Sequence, residues 1–131
     1  RFVDRSGLPV TTTLKALGTI SSEHPSFLGM LGMHGNEAAN HAVQNCDVLM
    51  VVGGRFDDRV TGRLTHFAPT ARVIHMDIDP AEVGKNIDTQ IPIVGDAGDV
   101  LCYMTDRIEP RDIWQWRPTW REFADLLRRR G

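Results

Sequence analysis

Five consecutive apolar residues, Val48 to Val52, constrain the fold of this chain more than any other stretch. The run is short, rich in β-branched side chains and ended by Gly53 and Gly54, which predicts a strand buried on both faces. Such strands belong to parallel sheets that helices cover. In open parallel sheets the ligand crevice lies beyond the carboxyl ends of the strands, where these two glycines stand.

A cluster of charged residues follows the two glycines and surrounds Phe56. Its members are Arg55, Asp57, Asp58 and Arg59. At the carboxyl end of a strand such a cluster is well placed to bind a polar ligand, and the glycines allow a sharp turn and a close approach. The alternative is a solvated loop with internal ion pairs.

Composition narrows the class of protein. The 131 residues suffice for one domain with a core, and the net charge of −2 argues against general attraction to nucleic acid or membrane surfaces. No apolar run approaches the length of a membrane span. Cys46 and Cys102 lack metal-ligand spacing, which favours buried thiols of an intracellular protein over a disulfide. Both ends, at Arg1 and Gly131, look cut from something longer, so we expect an excised domain.

Strand and helix patterns alternate along the chain. Strands are predicted at Leu8–Thr13, Val48–Val52, Arg72–Asp79 and Ile91–Val94, and helices at Leu14–Leu17, Asn36–Asn45 and Val100–Ile108. Residues 1–7 are predicted to be a polar lead-in. This order predicts an α/β fold with a mostly parallel sheet.

Polar side chains recur where these strands end. They are Thr12, Thr13, Arg55, Asp58, Asp77, Asp79 and Asp96. One crevice would collect them all, which predicts a site for a nucleotide-like cofactor, although the usual dinucleotide fingerprint and Walker motif are absent. Local capping is the alternative for Thr13 at a helix, Asp79 at the turn after it, and Asp96 at the last helix.

The stretch from Phe27 to Gly35 contains glycines separated by methionines and leucine. It predicts neither a stable helix nor a good strand, but a backbone against which a flat ligand can lie. Methionines that fill gaps in the core are the alternative. His34 is a candidate base, although a histidine without an evident partner is more often structural.

Several motifs together resemble the large catalytic subunit of the acetohydroxyacid synthases (acetolactate synthases). They are Leu-Gly-Met-His-Gly at 31–35, Gly-Arg-Phe-Asp-Asp-Arg-Val-Thr-Gly at 54–62, Asp-Ile-Asp-Pro at 77–80 and Pro-Ile-Val-Gly-Asp at 92–96. The resemblance covers residues 7–108 and is to the central domain of those enzymes. Related thiamine diphosphate enzymes share the fold but usually lack the loop at 55–62.

The resemblance implies a three-layer domain with a six-stranded, mostly parallel sheet flanked by helices, Rossmann-like and similar to DHS-like NAD/FAD-binding domains. Residues 1–108 would form the central FAD-binding domain. Residues 109–131, which hold all three tryptophans, would form a terminal helix and linker segment.

For function, the resemblance implies condensation of two 2-ketoacids, with decarboxylation of pyruvate, in branched-chain amino acid biosynthesis. The family enzyme uses FAD, thiamine diphosphate and magnesium, and the last two would be bound by domains absent from this chain. Implied partners are those domains, further catalytic subunits in a homodimer or tetramer, and a regulatory small subunit, all in the cytoplasm. The catalytic glutamate and the Gly-Asp-Gly cofactor motif belong to the other domains, so the chain alone should be inactive.

The resemblance also assigns residues. The FAD-binding positions would be Thr12, Thr13, Leu14, Leu31, Gly32, Met33, His34, Gly35, Gly54, Arg55, Asp57, Val60, Asp77, Ile78, Asp96 and Ala97. Near the substrate channel would lie Met33, His34, Asp58 and Arg59. Arg59 is the candidate to meet a substrate carboxylate, because a guanidinium suits that geometry.

Two departures from the family pattern bear on these assignments. Asn36 stands where family members often carry an aromatic residue or threonine, and Gly95-Asp96-Ala97 is not the Gly-Asp-Gly motif. The alternative to the family assignment is a non-catalytic structural or interaction domain of another thiamine diphosphate enzyme, with a vestigial flavin pocket. A pyruvate oxidase or glyoxylate carboligase is a further one, against which the loop at 55–62 argues.

Overall fold

The computed structural model describes residues 1–56 and 66–110, and these form an alternation of helices and strands. In chain order the elements are α1 Phe2–Ser6, β1 Val10–Thr12, a 3₁₀ helix Leu14–Ala16, β2 Phe27–Met30, α2 Glu37–Asn45, β3 Val48–Val52, β4 Arg72–Asp77, β5 Ile91–Val94 and α3 Ala97–Arg107. The α/β class is confirmed. The predicted terminal helix with its tryptophans and most of the charged loop lie outside the described residues.

Every strand pair in the described ranges is parallel. Strands β1 and β2 form one sheet, and β3, β4 and β5 form another in that order. The register sets Met50 beside Ile74 and Ile74 beside Ile91, so β4 is the central strand of its sheet. A single six-stranded sheet is not seen among residues 1–56 and 66–110, which contribute five strands in two sheets.

Helix α2 packs against both sheets. Its small residues Ala38, Ala39 and Ala42 lie in a core cluster with Leu28 of β2. Farther along the helix, Val43 joins a second cluster, whose other members are Phe56, Phe67, Ala68 and Val73. Small side chains let the helix backbone approach both clusters closely.

Two segments differ from the expectations. Residues 1–7 are not merely a lead-in, because α1 forms and ends at Gly7, whose φ is 68° and whose N–H donates to Val3 O. Arg5 Nε of this helix donates to Ile108 O at 2.7 Å, just beyond α3. The stretch from Phe27 contains strand β2, because pairing with β1 supplies hydrogen bonds that outweigh the poor strand propensity of Gly29.

Strand β3 forms where it was predicted but is not buried on both faces. Val48 is 51% exposed and Val52 is 39% exposed, while the residues between them are half-buried. Leu49 and Val51 pack against the core cluster that contains Phe56, whereas Val48 and Val52 lie on the opposite face, which no core cluster of the described residues covers. None of the helices in the described ranges combines the length and apolarity that crossing a membrane requires.

Candidate cofactor-binding site

The first group of predicted site residues lies at the carboxyl end of the β1–β2 sheet. Thr12 is the last residue of β1, and its carbonyl oxygen accepts a hydrogen bond from Leu31 N at 2.8 Å. The glycine-rich loop 31–35 therefore begins directly beside Thr12. Thr13 precedes the 3₁₀ helix, but its side chain makes no capping hydrogen bond, so the capping alternative is not supported there.

Thr12 carries a buried hydroxyl without a partner. The residue is 6% exposed, and Oγ1 makes no hydrogen bond within the described part of the chain. A buried hydroxyl that lacks a partner is costly, since desolvation is not compensated. A ligand oxygen or nitrogen at this edge of the sheet would remove that cost.

The glycine-rich loop is fixed by contacts that the sequence did not indicate. Asn40 Oδ1 accepts from Gly32 N at 2.9 Å, and Asn40 Nδ2 donates to Gly32 O at 2.8 Å. At Gly35 a Cβ atom would lie 2.3 Å from Met30 O, so only glycine fits without a shift of the backbone. Asn36 caps α2 through its side chain, which accepts from Ala38 N at 2.8 Å.

The second group lies at the carboxyl end of the three-stranded sheet. Gly54 and Arg55 follow β3, Asp77 and Ile78 stand at the end of β4, and Asp96 and Ala97 follow β5. Backbone bonds tie these ends together: Gly53 N donates to Met76 O at 2.8 Å, and Gly95 N donates to Asp77 O at 3.0 Å. The parallel arrangement therefore brings the predicted strand-end residues to one edge.

The carboxylates at this edge each use one oxygen locally. Asp77 Oδ1 accepts from Asp79 N at 2.9 Å and Asp79 Oδ1 from Ala81 N at 2.9 Å. Asp96 Oδ1 accepts from Asp99 N at 3.0 Å at the start of α3. The capping alternatives for Asp79 and Asp96 are thus confirmed. The second oxygen of each carboxylate is not used in these bonds.

Residues in β4 and in the segment between β4 and β5 form hydrogen bonds with the turn after β3. His75 Nε2 lies 2.7 Å from Gly54 O, and Asn86 Nδ2 donates to Arg55 O at 2.7 Å. Phe56 follows with φ of 54° and is buried. Sequence reasoning missed Asn40, His75 and Asn86. A histidine inside an otherwise apolar strand was the one available signal for His75.

The two groups approach each other through apolar packing. Leu31, from the glycine-rich loop, packs against the cluster that contains Phe56. The predicted site residues Asp57, Asp58, Arg59 and Val60 lie outside the described residues.

Large apolar side chains are exposed at these strand ends. Leu14 is 72%, Met33 is 71% and Ile78 is 70% exposed, and these are the highest values among the large hydrophobic residues of the described ranges. Scattered exposed hydrophobics are ordinary, but here all three follow the carboxyl end of a strand. Such an edge combines apolar surface with free polar atoms, which suits a ligand that has a flat ring and a polar chain.

Within residues 1–56 and 66–110, no three His, Cys, Asp or Glu side chains lie close enough together to hold a metal ion.

Comparisons with known proteins give a consistent result. Residues 1–104 match the family model described as "Thiamine pyrophosphate enzyme, central domain". The chain is 60% identical over 101 residues to a probable acetolactate synthase large subunit of Methanocaldococcus jannaschii, covering 77% of this chain and 17% of that protein. It is 51% identical over 114 residues to the Escherichia coli acetolactate synthase isozyme 2 large subunit, covering 87% of this chain and 21% of that protein. With the Corynebacterium glutamicum acetolactate synthase large subunit it shares 48% identity over 120 residues, covering 88% of this chain and 19% of that protein. The chain thus spans about a fifth of the length of these relatives.

Proposed function

Since the chain belongs to the family of thiamine pyrophosphate enzyme central domains, we propose that it serves as the central domain of an acetolactate synthase large subunit. The observation that carries the proposal is the 48–60% identity with proteins of that name from three organisms. Residues 1–108 would form this domain and residues 109–131 its terminal helix and linker.

The proposed reaction belongs to the longer protein of which this chain would be part. That protein would condense two 2-ketoacids, with decarboxylation of pyruvate, in branched-chain amino acid biosynthesis. Thiamine diphosphate and magnesium would be held by its other domains, and further catalytic subunits and a regulatory small subunit would be partners. A cytoplasmic location, and a six-stranded sheet completed at the open edge of β3, are parts of the same proposal.

The part of the site that this chain would supply is for FAD. Three features support the fit: the unpartnered hydroxyl of Thr12, the fixed loop 31–35, and the exposed apolar side chains of Leu14, Met33 and Ile78. A flavin would contribute a flat ring system for apolar contact and a ribityl diphosphate chain for hydrogen bonding. Arg55 and the amides beside it would meet the negative charge of that chain.

The substrate channel would pass the outer side of this site. Met33 and His34 are both exposed in the loop after β2, where a small ketoacid can reach them. Asp58 and Arg59 would complete this lining, with Arg59 binding a substrate carboxylate. The chain on its own would bind the flavin without turning over ketoacids.

An FAD titration of the 131-residue chain tests the proposed site. Quenching of flavin fluorescence should saturate, and Arg55→Ala should weaken binding about tenfold, because a charge-assisted contact to phosphate is lost. Arg72→Ala is the matched control, since Arg72 is an exposed arginine at the opposite end of β4. Saturable binding that is equal in both variants, or no binding by the unaltered chain, would contradict an FAD site built by these residues.

A second experiment tests the assigned reaction. The longer protein, supplied with pyruvate, thiamine diphosphate, magnesium and FAD, should form acetolactate, whereas the 131-residue chain should form none. Formation of another product from pyruvate by the longer protein would assign the chain to a different thiamine diphosphate enzyme.

A further inference from the structure

His75 is buried inside the central strand of the three-stranded sheet and is 1% exposed. Its neighbours in the sheet are Val51 of β3 and Pro92 of β5. A polar ring in this position requires partners for both nitrogens, because an unpaired buried polar atom is costly. Both nitrogens have one, and each partner belongs to a different loop.

The two hydrogen bonds of His75 fix the position of its proton. Gly84 N donates to Nδ1 at 3.2 Å, so Nδ1 acts as the acceptor. Nε2 must therefore carry the hydrogen, and it donates to Gly54 O at 2.7 Å. The ring consequently joins the turn after β4 to the turn after β3, as the neutral Nε2–H tautomer.

The contact with Gly54 fixes the direction of the next amide. In a planar trans peptide the carbonyl of one residue and the N–H of the following residue point in opposite directions. When Gly54 O is turned toward His75, the Arg55 N–H is turned away from it. Among the described residues, no acceptor is hydrogen-bonded to Arg55 N. None of the described residues therefore competes with a ligand for this donor on the side opposite His75.

The ring of His75 also supports the next side chain. Its plane lies nearly perpendicular to that of Phe56, with 5.0 Å between ring centroids and 85° between planes. Phe56 in turn meets Phe67 edge-on at 5.9 Å. The turn from Gly54 to Phe56 is thus held at a carbonyl and at a side chain by the same histidine.

From this geometry we propose that His75 is a positioning residue for the cofactor loop, which aims the Arg55 amide at a phosphate or ribityl oxygen of the flavin. The inference rests on the proposed FAD site and extends it to a residue that would not touch the ligand. The His75 side chain would then have two roles. The hydrogen bond from Nε2 to Gly54 O orients the binding loop, and the hydrogen bond from Gly84 N to Nδ1 secures the turn at Gly84.

Two substitutions distinguish these roles. His75→Gln places an amide near the position of Nε2 and retains a donor for Gly54 O, whereas His75→Asn places an oxygen near Nδ1 and retains only the acceptor for Gly84 N. Both lose the ring and one hydrogen bond, so their Tm values should fall by similar amounts. FAD affinity should fall about tenfold in His75→Asn and stay within about threefold in His75→Gln. Equal loss of affinity in both variants, in proportion to Tm, would reduce His75 to a structural residue and overturn the proposal.

A measurement without ligand separates this inference from the FAD assignment. In ¹⁵N NMR spectra of the unaltered chain, the His75 ring should show the Nε2–H tautomer, and the Arg55 amide resonance should shift in His75→Asn more than in His75→Gln. If these spectra are observed but FAD does not bind, the assignment of FAD as the ligand would be contradicted, whereas the positioning role of His75 would be supported. An Nδ1–H tautomer, or an Arg55 amide that is unmoved in His75→Asn, would overturn the role of His75 whether or not FAD binds.

Discussion

Asn40 binds both polar groups of Gly32: its Oδ1 accepts from Gly32 N at 2.9 Å and its Nδ2 donates to Gly32 O at 2.8 Å. One side chain of α2 thereby replaces the strand partner that Gly32 lacks after β2 ends. Two hydrogen bonds consequently join the helix to the glycine-rich loop. This relation positions the loop 31–35 over Thr12 at the edge of the sheet.

Removing this side chain should loosen the loop. We expect Asn40→Ala to lower the free energy of unfolding by about 1–3 kcal/mol, because two backbone groups of a buried glycine lose their partner. FAD affinity should fall as well, since the loop would no longer be held in one conformation. Urea unfolding and flavin fluorescence measure the two effects.

Asn45→Ala is the control for the Asn40 variant. Asn45 lies in the same helix and donates from Nδ2 to His41 O at 2.8 Å, but it is exposed and far from the loop. Its replacement should leave FAD affinity unchanged. If Asn45→Ala and Asn40→Ala destabilise the chain equally and neither alters FAD binding, the bond to Gly32 does not organise the site.

The parts of the fold that follow from local patterns were predictable. A few neighbouring residues determine each of three such features, which are the apolar run of β3, the Asn36 cap of α2 and the strand that ends at Val94. Strand β2 was missed because Gly29 and its neighbours have little strand propensity, and pairing with β1 decides the conformation instead. Burial of β3 was overestimated because composition does not show whether both faces of a strand are covered.

The residues of the candidate site also divide into those that local sequence patterns predict and those that they do not. Thr12, Asp77 and Asp96 stand at strand ends, which a strand assignment places directly. The supporting residues are different, because His75 lies 21 residues from Gly54 and Asn86 lies 31 residues from Arg55. Contacts at such separations depend on how the strands are ordered, and a linear pattern does not contain that order.

The glycine at position 35 should tolerate no side chain. A Cβ atom there would lie 2.3 Å from Met30 O and 2.8 Å from Leu31 C, and backbone atoms cannot rotate away. We expect Gly35→Ala to destabilise the chain by about 3 kcal/mol or more, as a severe case of overpacking. Gly18→Ala is the comparison, since its Cβ would meet nothing within 4 Å and would bear only the strain of φ at 93°. That strain should cost about 1–2 kcal/mol. Equal losses in urea unfolding would show that the loop 31–35 shifts to admit a methyl group.

The hydrogen bond between Asp4 and His24 should make stability depend on pH. The hydrogen bond from the His24 ring, at 2.7 Å, lowers the pKa of Asp4 below its ordinary value of 3.8 and joins α1 to the loop before β2. A carboxyl with a depressed pKa in the folded state contributes stability that is present above its unfolded pKa and is lost as pH falls through the folded value. The difference in unfolding free energy between the unaltered chain and Asp4→Asn should therefore be present at pH 6 and shrink below about pH 4. It should also shrink with added salt, because the pair is exposed. A difference for Asp4→Asn that is equal at pH 6 and pH 3 would contradict this role of the hydrogen bond.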